Sequence, residues 1–217
     1  MEKRRPIKYE PSFEFEHAYP SPVVGLDEAG CGAWVGPVVA GAAFILPACP
    51  HDLLHALNDS KRLTEKVRES LFQTFQENPA YIKIATGLAT TEEIESLNIR
   101  NAALLAMSRA YELLEIPALM ALVDGTGKPR LPCPSRSIIK GDQRSYSIAA
   151  ASIAAKVTRD HLMKALAEEF PSYGWATNAG YGTQEHQRAL KEHGVTPYHR
   201  RSYKPIQALL GTLFSSL

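Results

Sequence analysis

The chain has 217 residues and a formal net charge of +1, with 45% hydrophobic and 22% charged residues. These proportions are close to those of an ordinary soluble domain, and they exclude a mainly disordered, collagen-like or coiled-coil chain. The longest apolar run, Val38 to Leu46, is about half of the ~18 residues that cross a bilayer. The basic N-terminus lacks the apolar core of a signal peptide, so we expect a cytoplasmic protein with no membrane contact.

The cysteines and histidines provide no framework for disulfides or for a zinc site. Cys31, Cys49 and Cys133 are far apart and form no C-x-x-C pair. An odd number of cysteines without paired spacing argues against both kinds of site. His51 and His55 are four residues apart but have no third ligand nearby in the sequence, so we expect them at the surface.

Strands and helices are predicted in turn along the first half of the chain. Residues 1–20 mix charges, aromatic residues and prolines, which predicts an extended arm. Strands are predicted over 23–27, 37–46 and 81–88, where apolar and β-branched residues run together or alternate. A helix is predicted over 64–76 with Thr64 as its N-cap. Thr90 and Glu93 have capping-box spacing for the next helix.

The second half is predicted to be richer in helix. A helix over 101–114 is followed by strands over 119–123 and 137–140 and by a long helix over 147–170. Small residues dominate the first half of the long helix, so we expect it to pack closely against a sheet. Helices over 183–193, with Gly194 as C-cap, and over 206–214 follow. This order predicts one α/β domain over 1–217, with a mixed sheet and a helical C-terminal appendage over about 175–217.

Basic residues are concentrated in the second half of the chain. Residues 125–160 contain seven Lys or Arg against two acids, and residues 178–217 contain five against two. Such a distribution can form a face that follows a phosphate backbone. On charge alone, a solvated surface is the favoured interpretation.

The strongest local feature is the segment VVGLDEAGCG over residues 23–32. Asp27 and Glu28 stand where the first strand ends, directly before a glycine-rich turn. Neighbours in a regular strand point to opposite faces, so both carboxylates can serve one site only where the strand stops. Gly30 and Gly32 leave backbone N–H groups open to close approach by a ligand. Two ordinary strand-end carboxylates beside a turn would give the same pattern.

Two further acids, Asp124 and Asp142, also follow short apolar runs. Burying an unpaired carboxylate at the end of a strand costs free energy. Acids follow a buried apolar run at three places in this small domain, which indicates that they belong to one functional site. Four carboxylates gathered at one sheet edge would repel each other unless cations neutralised them. Oxygen ligands without His or Cys favour Mg²⁺ or Mn²⁺ over zinc. Two such ions about 4 Å apart would suit attack of water on a phosphodiester.

On these residues the chain resembles the ribonuclease HII family of bacteria. The matching segments occur in the family's order over about residues 22–206: GLDEAGCGAWVGPVVAGA, DSKRLTEKVRE, VDG, IIKGDQRSYSIAAASIAAKVTRDHLM, GYGTQEH and TPYHRRSYKP. The resemblance implies a ribonuclease H-like mixed sheet flanked by helices. It also implies hydrolysis of RNA in RNA–DNA hybrids and incision 5′ of a single ribonucleotide in duplex DNA, leaving a 3′-hydroxyl and a 5′-phosphate.

The resemblance also assigns the site residues. It implies that two Mg²⁺ or Mn²⁺ ions are bound and used in catalysis by four carboxylates, Asp27, Glu28, Asp124 and Asp142. Recognition of the RNA 2′-hydroxyl would fall to the turn Gly30, Cys31 and Gly32 and to Tyr181, with Lys61 near the phosphate backbone.

One residue of this turn departs from the family pattern, because Cys31 stands where members usually carry Arg. A guanidinium contact to phosphate or base is therefore lost. The resulting hypothesis is that the ribonucleotide junction is bound more weakly, unless a nearby Lys or Arg substitutes.

Three other functions are weighed against this one. A ribonuclease HIII would carry an additional N-terminal substrate-binding domain, for which Asp27 lies too near the start. A catalytically silent nucleic-acid-binding relative would be expected to have lost a carboxylate. A DNA-directed nuclease or resolvase of the same fold is disfavoured by the full set of matching segments. Nucleic acid is the expected partner and a monomer the expected state.

Several other polar residues carry plainer predictions. Asp59 is interpreted as a turn acid, and Asp160 as the partner of Arg159 or of a neighbouring helix. His186 and His193, seven residues apart on one helix, are expected to face solvent. The segment His199-Arg200-Arg201 is favoured slightly as a phosphate contact over a capping cluster.

Overall fold

The computed structural model describes the backbone of residues 9–214 and the side chains of residues 9–211. Five strands form one mixed sheet in the order β3-β2-β1-β4-β5. β2 runs antiparallel to β1 and β3, whereas β4 runs parallel to β1 and β5. The strands are β1 (Val23–Ala29), β2 (Val38–Ile45), β3 (Ile82–Ala89), β4 (Met120–Asp124) and β5 (Ser135–Ile138).

Eight α-helices occur within the described residues. The first four are α1 (His51–Ala56), α2 (Glu65–Glu77), α3 (Thr91–Leu97) and α4 (Ile99–Leu114). The others are α5 (Tyr146–Glu169), α6 (Trp175–Asn178), α7 (Gln184–His193) and α8 (Lys204–Phe214). No helix in this part of the chain is long and apolar enough to cross a membrane.

Most predicted elements are confirmed within a few residues. The structure has the predicted N-cap Thr64 and the full capping box of Thr90 and Glu93. Thr183, predicted as the first residue of a helix, is the N-cap of α7. Gly194 ends α7 as expected. The short helix α1 was not predicted.

Two predicted segments differ from the structure. The strand expected over 137–140 is wrong in its bounds, because β5 ends at Ile138 and Lys140 adopts a left-handed conformation that leads into a 3-10 turn. The arm expected to be extended contains a 3-10 turn, Glu16–Ala18, and buries Phe15. Residues 1–8 of the arm lie outside the described residues, and the single-domain division stays a prediction.

Helices cover both faces of the sheet. Alternate β1 residues Val24 and Leu26 pack with α4 in the largest apolar cluster. On the other face, a Cβ atom at Gly25 or Gly41 would collide with the backbone of α5 at Ser147 or Ala151. The small residues of α5 and these two glycines therefore allow direct backbone contact, as the sequence of the long helix predicts.

The C-terminal helices form a separate apolar cluster at one side of the sheet. Trp175 is fully buried in it and packs with Val35 from the loop after β1, Met163 from α5 and Ile206 from α8. This packing anchors the helical appendage to the segment that joins β1 and β2. It thereby fixes the far side of the glycine-rich turn.

Gly41→Ala is expected to lower the free energy of unfolding by about 1–3 kcal/mol, because the added methyl group meets the Ala151 carbonyl of α5. Urea denaturation measures the change. Gly211→Ala is the matched control, since a Cβ there meets nothing within 4 Å and lies inside α8. A Gly41→Ala protein as stable as wild type would contradict the close packing.

Candidate active site

Two acidic side chains meet because β1 and β4 are parallel neighbours. Leu26 pairs with Val123, so Asp27 and Asp124 follow at the same level on the two strands. Asp27 is only 5% exposed, and Asp124 is half-buried. The parallel register therefore places both carboxylates at one edge of the sheet, as the sequence predicts.

Asp142 is brought to the same edge by a turn. The N–H of Gly141 donates to Oδ1 of Asp124 at 2.6 Å, which ties the 3-10 turn Gly141–Gln143 to the end of β4. Asp142, in the middle of that turn, is 7% exposed. It thus reaches the site from a turn that hydrogen-bonds to β4.

Glu28 follows Asp27 at the end of β1 and borders the α4 side of the sheet. Its N–H donates to Oδ1 of Asp27 at 2.7 Å, and its Oε1 accepts from the Cys31 thiol at 3.6 Å. Burial, followed by the charge of Glu28, raises the pKa of Cys31 to about 12, so this thiol is neutral and donates. Glu28 and Asp124 both line a cavity of about 450 Å³ whose wall includes Ala103.

The carboxylates strongly influence one another. Burial, then the charges of Glu28, Asp124 and Asp142, raises the pKa of Asp27 well above its ordinary value. Burial and then Asp124 raise the pKa of Glu28. Burial, then Asp124 and Asp59, raises the pKa of Asp142 to about 7. The four predicted side chains therefore form one electrostatic unit.

Lys61 is the basic residue that faces this unit. Burial lowers its pKa, but the charges of Asp27, Asp59 and Asp142 outweigh burial, and the net shift is upward. Lys61 as a whole residue is exposed. The structure therefore brings Lys61 to the carboxylates while leaving it accessible to a ligand.

Sequence reasoning missed the contribution of Asp59. Its Oδ1 accepts from the N–H of Lys61 at 2.9 Å, as expected for a turn acid. Its Oδ2 also accepts from Nε2 of Gln143 at 3.2 Å, next to Asp142. Asp59 is buried and links the Lys61 loop to the Asp142 turn. The only sequence signal for this role is its position two residues before Lys61.

Ser152 is a second residue that sequence reasoning missed. Its hydroxyl lies 2.8 Å from that of Ser60, and its hydrogen bond to Asp27 lowers the pKa of that carboxyl against the larger effect of burial. Ser152 stands on α5 among alanines. A lone hydroxyl in a row of small residues was the available signal.

The glycine-rich turn and Tyr181 lie together beside the carboxylates. Gly30 is buried with φ +95°, a conformation that favours glycine. Gly32 is exposed, and a Cβ atom there would lie 3.6 Å from the ring of Tyr181. The turn and the tyrosine thus form one surface, as the resemblance implies.

The expected solvent-facing position of His186 is wrong. His186 is fully buried, and its Nε2 lies 3.2 Å from both Nε2 of His199 and Nε1 of Trp175. Burial lowers the pKa of His186, and burial followed by repulsion from His186 lowers that of His199 to about 3. Nδ1 of His186 also lies 3.0 Å from the Tyr181 carbonyl, so this pair supports the Tyr181 segment.

The predicted phosphate contact at His199-Arg200-Arg201 is also wrong for its first two residues. Both are buried, because Arg200 donates to backbone carbonyls of the turn and His199 packs with His186. Arg201 is exposed. Asp160 pairs with Lys156 at 2.6 Å and with Arg68 of α2 at 3.6 Å, which confirms the neighbouring-helix alternative.

The donor chemistry of the four carboxylates fits a hard divalent cation, because every ligand is an oxygen and the uncompensated charges raise the proton affinity of the site. Within residues 9–211, no three acidic, histidine or cysteine side chains are arranged to hold an ion as they stand. Oδ1 of Asp27 and Oδ1 of Asp124 each accept a backbone N–H. Binding an ion therefore requires carboxylates to turn toward a common point.

Comparisons with known proteins agree with this geometry. The family model described as Ribonuclease HII matches residues 24–206. A Ribonuclease HII of Jannaschia sp. is 48% identical over 201 residues, covering 92% of this chain and 98% of the relative. One from Paramagnetospirillum magneticum is 50% identical over 185 residues, covering 85% and 90%.

Solved structures share the fold. The crystal structure of ribonuclease H2 from Pyrococcus horikoshii matches with a TM-score of 0.73 and 26% identity, covering 88% of this chain and 98% of that one. The crystal structure of Bst-RNase HIII in complex with Mn²⁺ matches with a TM-score of 0.70 and 16% identity, covering 88% and 69%, and shows the fold alone. The mixed sheet flanked by helices is thus the ribonuclease H-like fold. With its sequence matched from β1 to α8, the chain belongs to the ribonuclease HII family of metal-dependent hydrolases that act on RNA–DNA hybrids.

Proposed function

We propose that this protein hydrolyses the RNA strand of hybrids and also cuts 5′ of a single ribonucleotide in duplex DNA. The cut would leave a 3′-hydroxyl and a 5′-phosphate and would use two divalent ions. The observation that carries the proposal is the gathering of the four carboxylates at one sheet edge. Burial and neighbouring carboxylate charges raise the pKa of Asp27, Glu28 and Asp142 there. Ribonuclease family members act on nucleic acid, so the basic second half of the chain fits the same substrate.

The ions would be Mg²⁺ or Mn²⁺, held by Asp27, Glu28, Asp124 and Asp142. Asp27 is coupled to all three of the others, which makes it the carboxylate best placed to serve both ions. When bound, such ions supply the positive charge that activates water and stabilises the leaving 3′-oxygen. The manganese complex of the Bst neighbour supports this choice of cation through the shared fold.

The chain's own groups hold and orient these carboxylates. The N–H of Gly141 fixes one oxygen of Asp124, and the N–H of Glu28 fixes one oxygen of Asp27. Lys61, exposed beside the carboxylates, would contact the phosphate backbone of the substrate. These N–H contacts place the two carboxylates at the sheet edge, and the side chains then have to turn toward a common point to hold an ion.

Recognition of the ribonucleotide would fall to Gly30, Cys31, Gly32 and Tyr181. The RNA 2′-hydroxyl is the group that distinguishes the two kinds of nucleotide. The neutral Cys31 thiol donates to Glu28, so it offers no positive charge to the junction. We therefore keep the prediction that this protein binds the ribonucleotide junction more weakly than a relative with arginine at this position. Cys31→Arg is expected to strengthen junction binding.

Strand-specific cleavage of a duplex carrying one ribonucleotide tests the proposed function. We expect a single cut 5′ of the ribonucleotide with Mg²⁺ or Mn²⁺ and none with chelator. An all-DNA duplex should remain intact. Cleavage of the all-DNA duplex would favour a DNA-directed nuclease instead, and cleavage of long hybrids alone would remove the junction activity from the proposal.

Asp27→Asn and Asp142→Asn are each expected to lower cleavage by at least about 10³-fold, because each removes a charge that would hold an ion. Hybrid binding, measured by fluorescence anisotropy, should change little. Asp160→Asn is the matched control, since Asp160 pairs with Lys156 and Arg68 away from these carboxylates. Near-normal turnover in either site variant would refute the assignment.

The raised pKa of Asp142 predicts a pH-dependent stability in chelator. Its ordinary value is 3.8 and its folded value about 7, so between these values the folded protein keeps a proton that the unfolded chain has lost. The free energy of unfolding should therefore fall as pH rises through this window. The buried His199 contributes with the opposite sign, because its pKa is lowered. The informative quantity is thus the difference between wild type and Asp142→Asn.

Relative to wild type, the free energy of unfolding of Asp142→Asn should gain about 1–2 kcal/mol between pH 5 and pH 8. This is less than the whole pKa shift would give, because the neighbouring carboxylates titrate together with Asp142. Urea denaturation at several pH values measures this gain. Added Mg²⁺ should stabilise wild type at pH 8 and remove the difference. A constant difference across the pH range would contradict the raised pKa.

A further inference from the structure

In the part of the chain that the structure describes, two buried arginines behind the glycine-rich turn have no carboxylate partner. Arg159 is 1% exposed and Arg200 is 0% exposed. Among the described residues, every ion pair involves other side chains. A buried charge is normally paired, so this arrangement is costly unless the guanidinium donors are satisfied in another way. They are satisfied mainly by backbone carbonyls of the loop between β1 and β2, together with the Ala179 carbonyl and the Tyr203 hydroxyl.

Arg200 donates hydrogen bonds to three backbone carbonyls of this loop. Its Nε donates to the Gly36 carbonyl at 2.9 Å, and its Nη2 donates to that of Pro37 at 3.1 Å. Its Nη1 donates to the Cys31 carbonyl at 3.1 Å and to the Tyr203 hydroxyl at 2.9 Å. The Tyr203 hydroxyl in turn donates to the Cys31 carbonyl at 2.6 Å. The Cys31 carbonyl is thus held from the inside by two donors.

The hydrogen bonds to the Cys31 carbonyl also fix the direction of the neighbouring Gly32 N–H group. The Cys31–Gly32 peptide bond is trans, so its C=O and N–H point in opposite directions. With the Cys31 carbonyl turned inward, the N–H of Gly32 points away from Arg200. Gly32 is exposed beside the Tyr181 ring, and no protein acceptor in the described part of the chain takes its N–H.

Arg159 secures the other side of the same surface. It donates to the carbonyls of Val35, Pro37 and Ala179 at 3.1, 3.3 and 2.9 Å. Ala179 precedes Tyr181 by two residues, and the guanidinium lies 5.8 Å from the centre of the Tyr181 ring. Arg159 therefore links the loop after the turn to the tyrosine segment.

We propose that Arg200 and Tyr203 are positioning residues that set the Cys31–Gly32 peptide so that the Gly32 N–H faces the 2′-hydroxyl of the bound ribonucleotide. The inference rests on the proposed function, in which this turn reads the ribonucleotide. A donor that is already oriented costs less to use than one that must be ordered on binding. Without the hydrogen bonds from Arg200 and Tyr203, the Cys31–Gly32 peptide can rotate. The Gly32 N–H would then face the 2′-hydroxyl for only part of the time.

Tyr203→Phe is the most selective test, because it keeps the ring and removes the hydroxyl that contacts both Cys31 and Arg200. Affinities are measured by anisotropy with Ca²⁺, for a duplex with one ribonucleotide and for the same duplex in DNA. We expect the ribonucleotide duplex to bind about fivefold more weakly, as for the loss of one hydrogen bond, and the DNA duplex to be unchanged. Arg200→Lys, which keeps the charge but loses the fork, should shift the same ratio.

Tyr198→Phe is the matched control. Its hydroxyl contacts Glu169 at 3.5 Å on the surface, so both affinities should stay at wild-type values. An equal loss for both duplexes in Tyr203→Phe, or no loss, would overturn the positioning role. If wild type itself does not discriminate the two duplexes, the recognition part of the proposed function fails first. A discriminating wild type with an unchanged Tyr203→Phe ratio refutes the positioning role alone.

Discussion

Burying carboxylates beside one another costs free energy through both desolvation and repulsion. At the ends of β1 and β4 the protein accepts this cost, and the raised pKa values of Asp27 and Asp142 record it. A protein that kept these groups only for stability would do better with apolar residues at the same places. Cations bound at these carboxylates would offset this cost, and in that way the proposed ion site would connect the fold to metal-dependent hydrolysis.

The rest of the structure holds the acidic edge in place. The parallel register of β1 with β4 sets Asp27 against Asp124, and the Gly141 N–H brings the Asp142 turn to β4. The small residues of α5 let its backbone lie on Gly25 and Gly41, directly beneath the end of β1. Asp27 and Asp124 therefore lie on rigid strands, whereas Gly32 and Tyr181, which we propose to read the ribonucleotide, lie in loops. Those loops are supported from behind by buried side chains.

Much of the acidic edge could be predicted from sequence. Asp27 and Asp124 end apolar strands, and strand ends at one sheet edge meet whenever the strands are parallel. Local patterns also located the N-caps Thr64 and Thr90 and the C-cap Gly194. These features depend on residues close together in the chain, which is why sequence reasoning could locate them.

The supporting contacts could not be predicted, because they join distant segments. Asp59 is linked to Gln143, 84 residues away, and Arg200 to Cys31, 169 residues away. Arg200 and His186 have the polar composition of surface residues, yet tertiary packing buries both. Burial of a polar group is decided by whether distant carbonyls or rings meet its donors, and no local pattern carries that information.

The central claim is that the mutually repelling carboxylates are the ion site, and proton release on metal binding tests it most directly. Titration calorimetry with Mn²⁺ in two buffers of different ionisation enthalpy counts the protons released. At pH 7 we expect release, because burial and the neighbouring carboxylates raise the pKa of Asp142 to about 7, and the ion must displace the proton that this side chain partly holds. Release should diminish in Asp142→Asn. Binding without proton release at pH 7, or the same release in wild type and Asp142→Asn, would contradict the account.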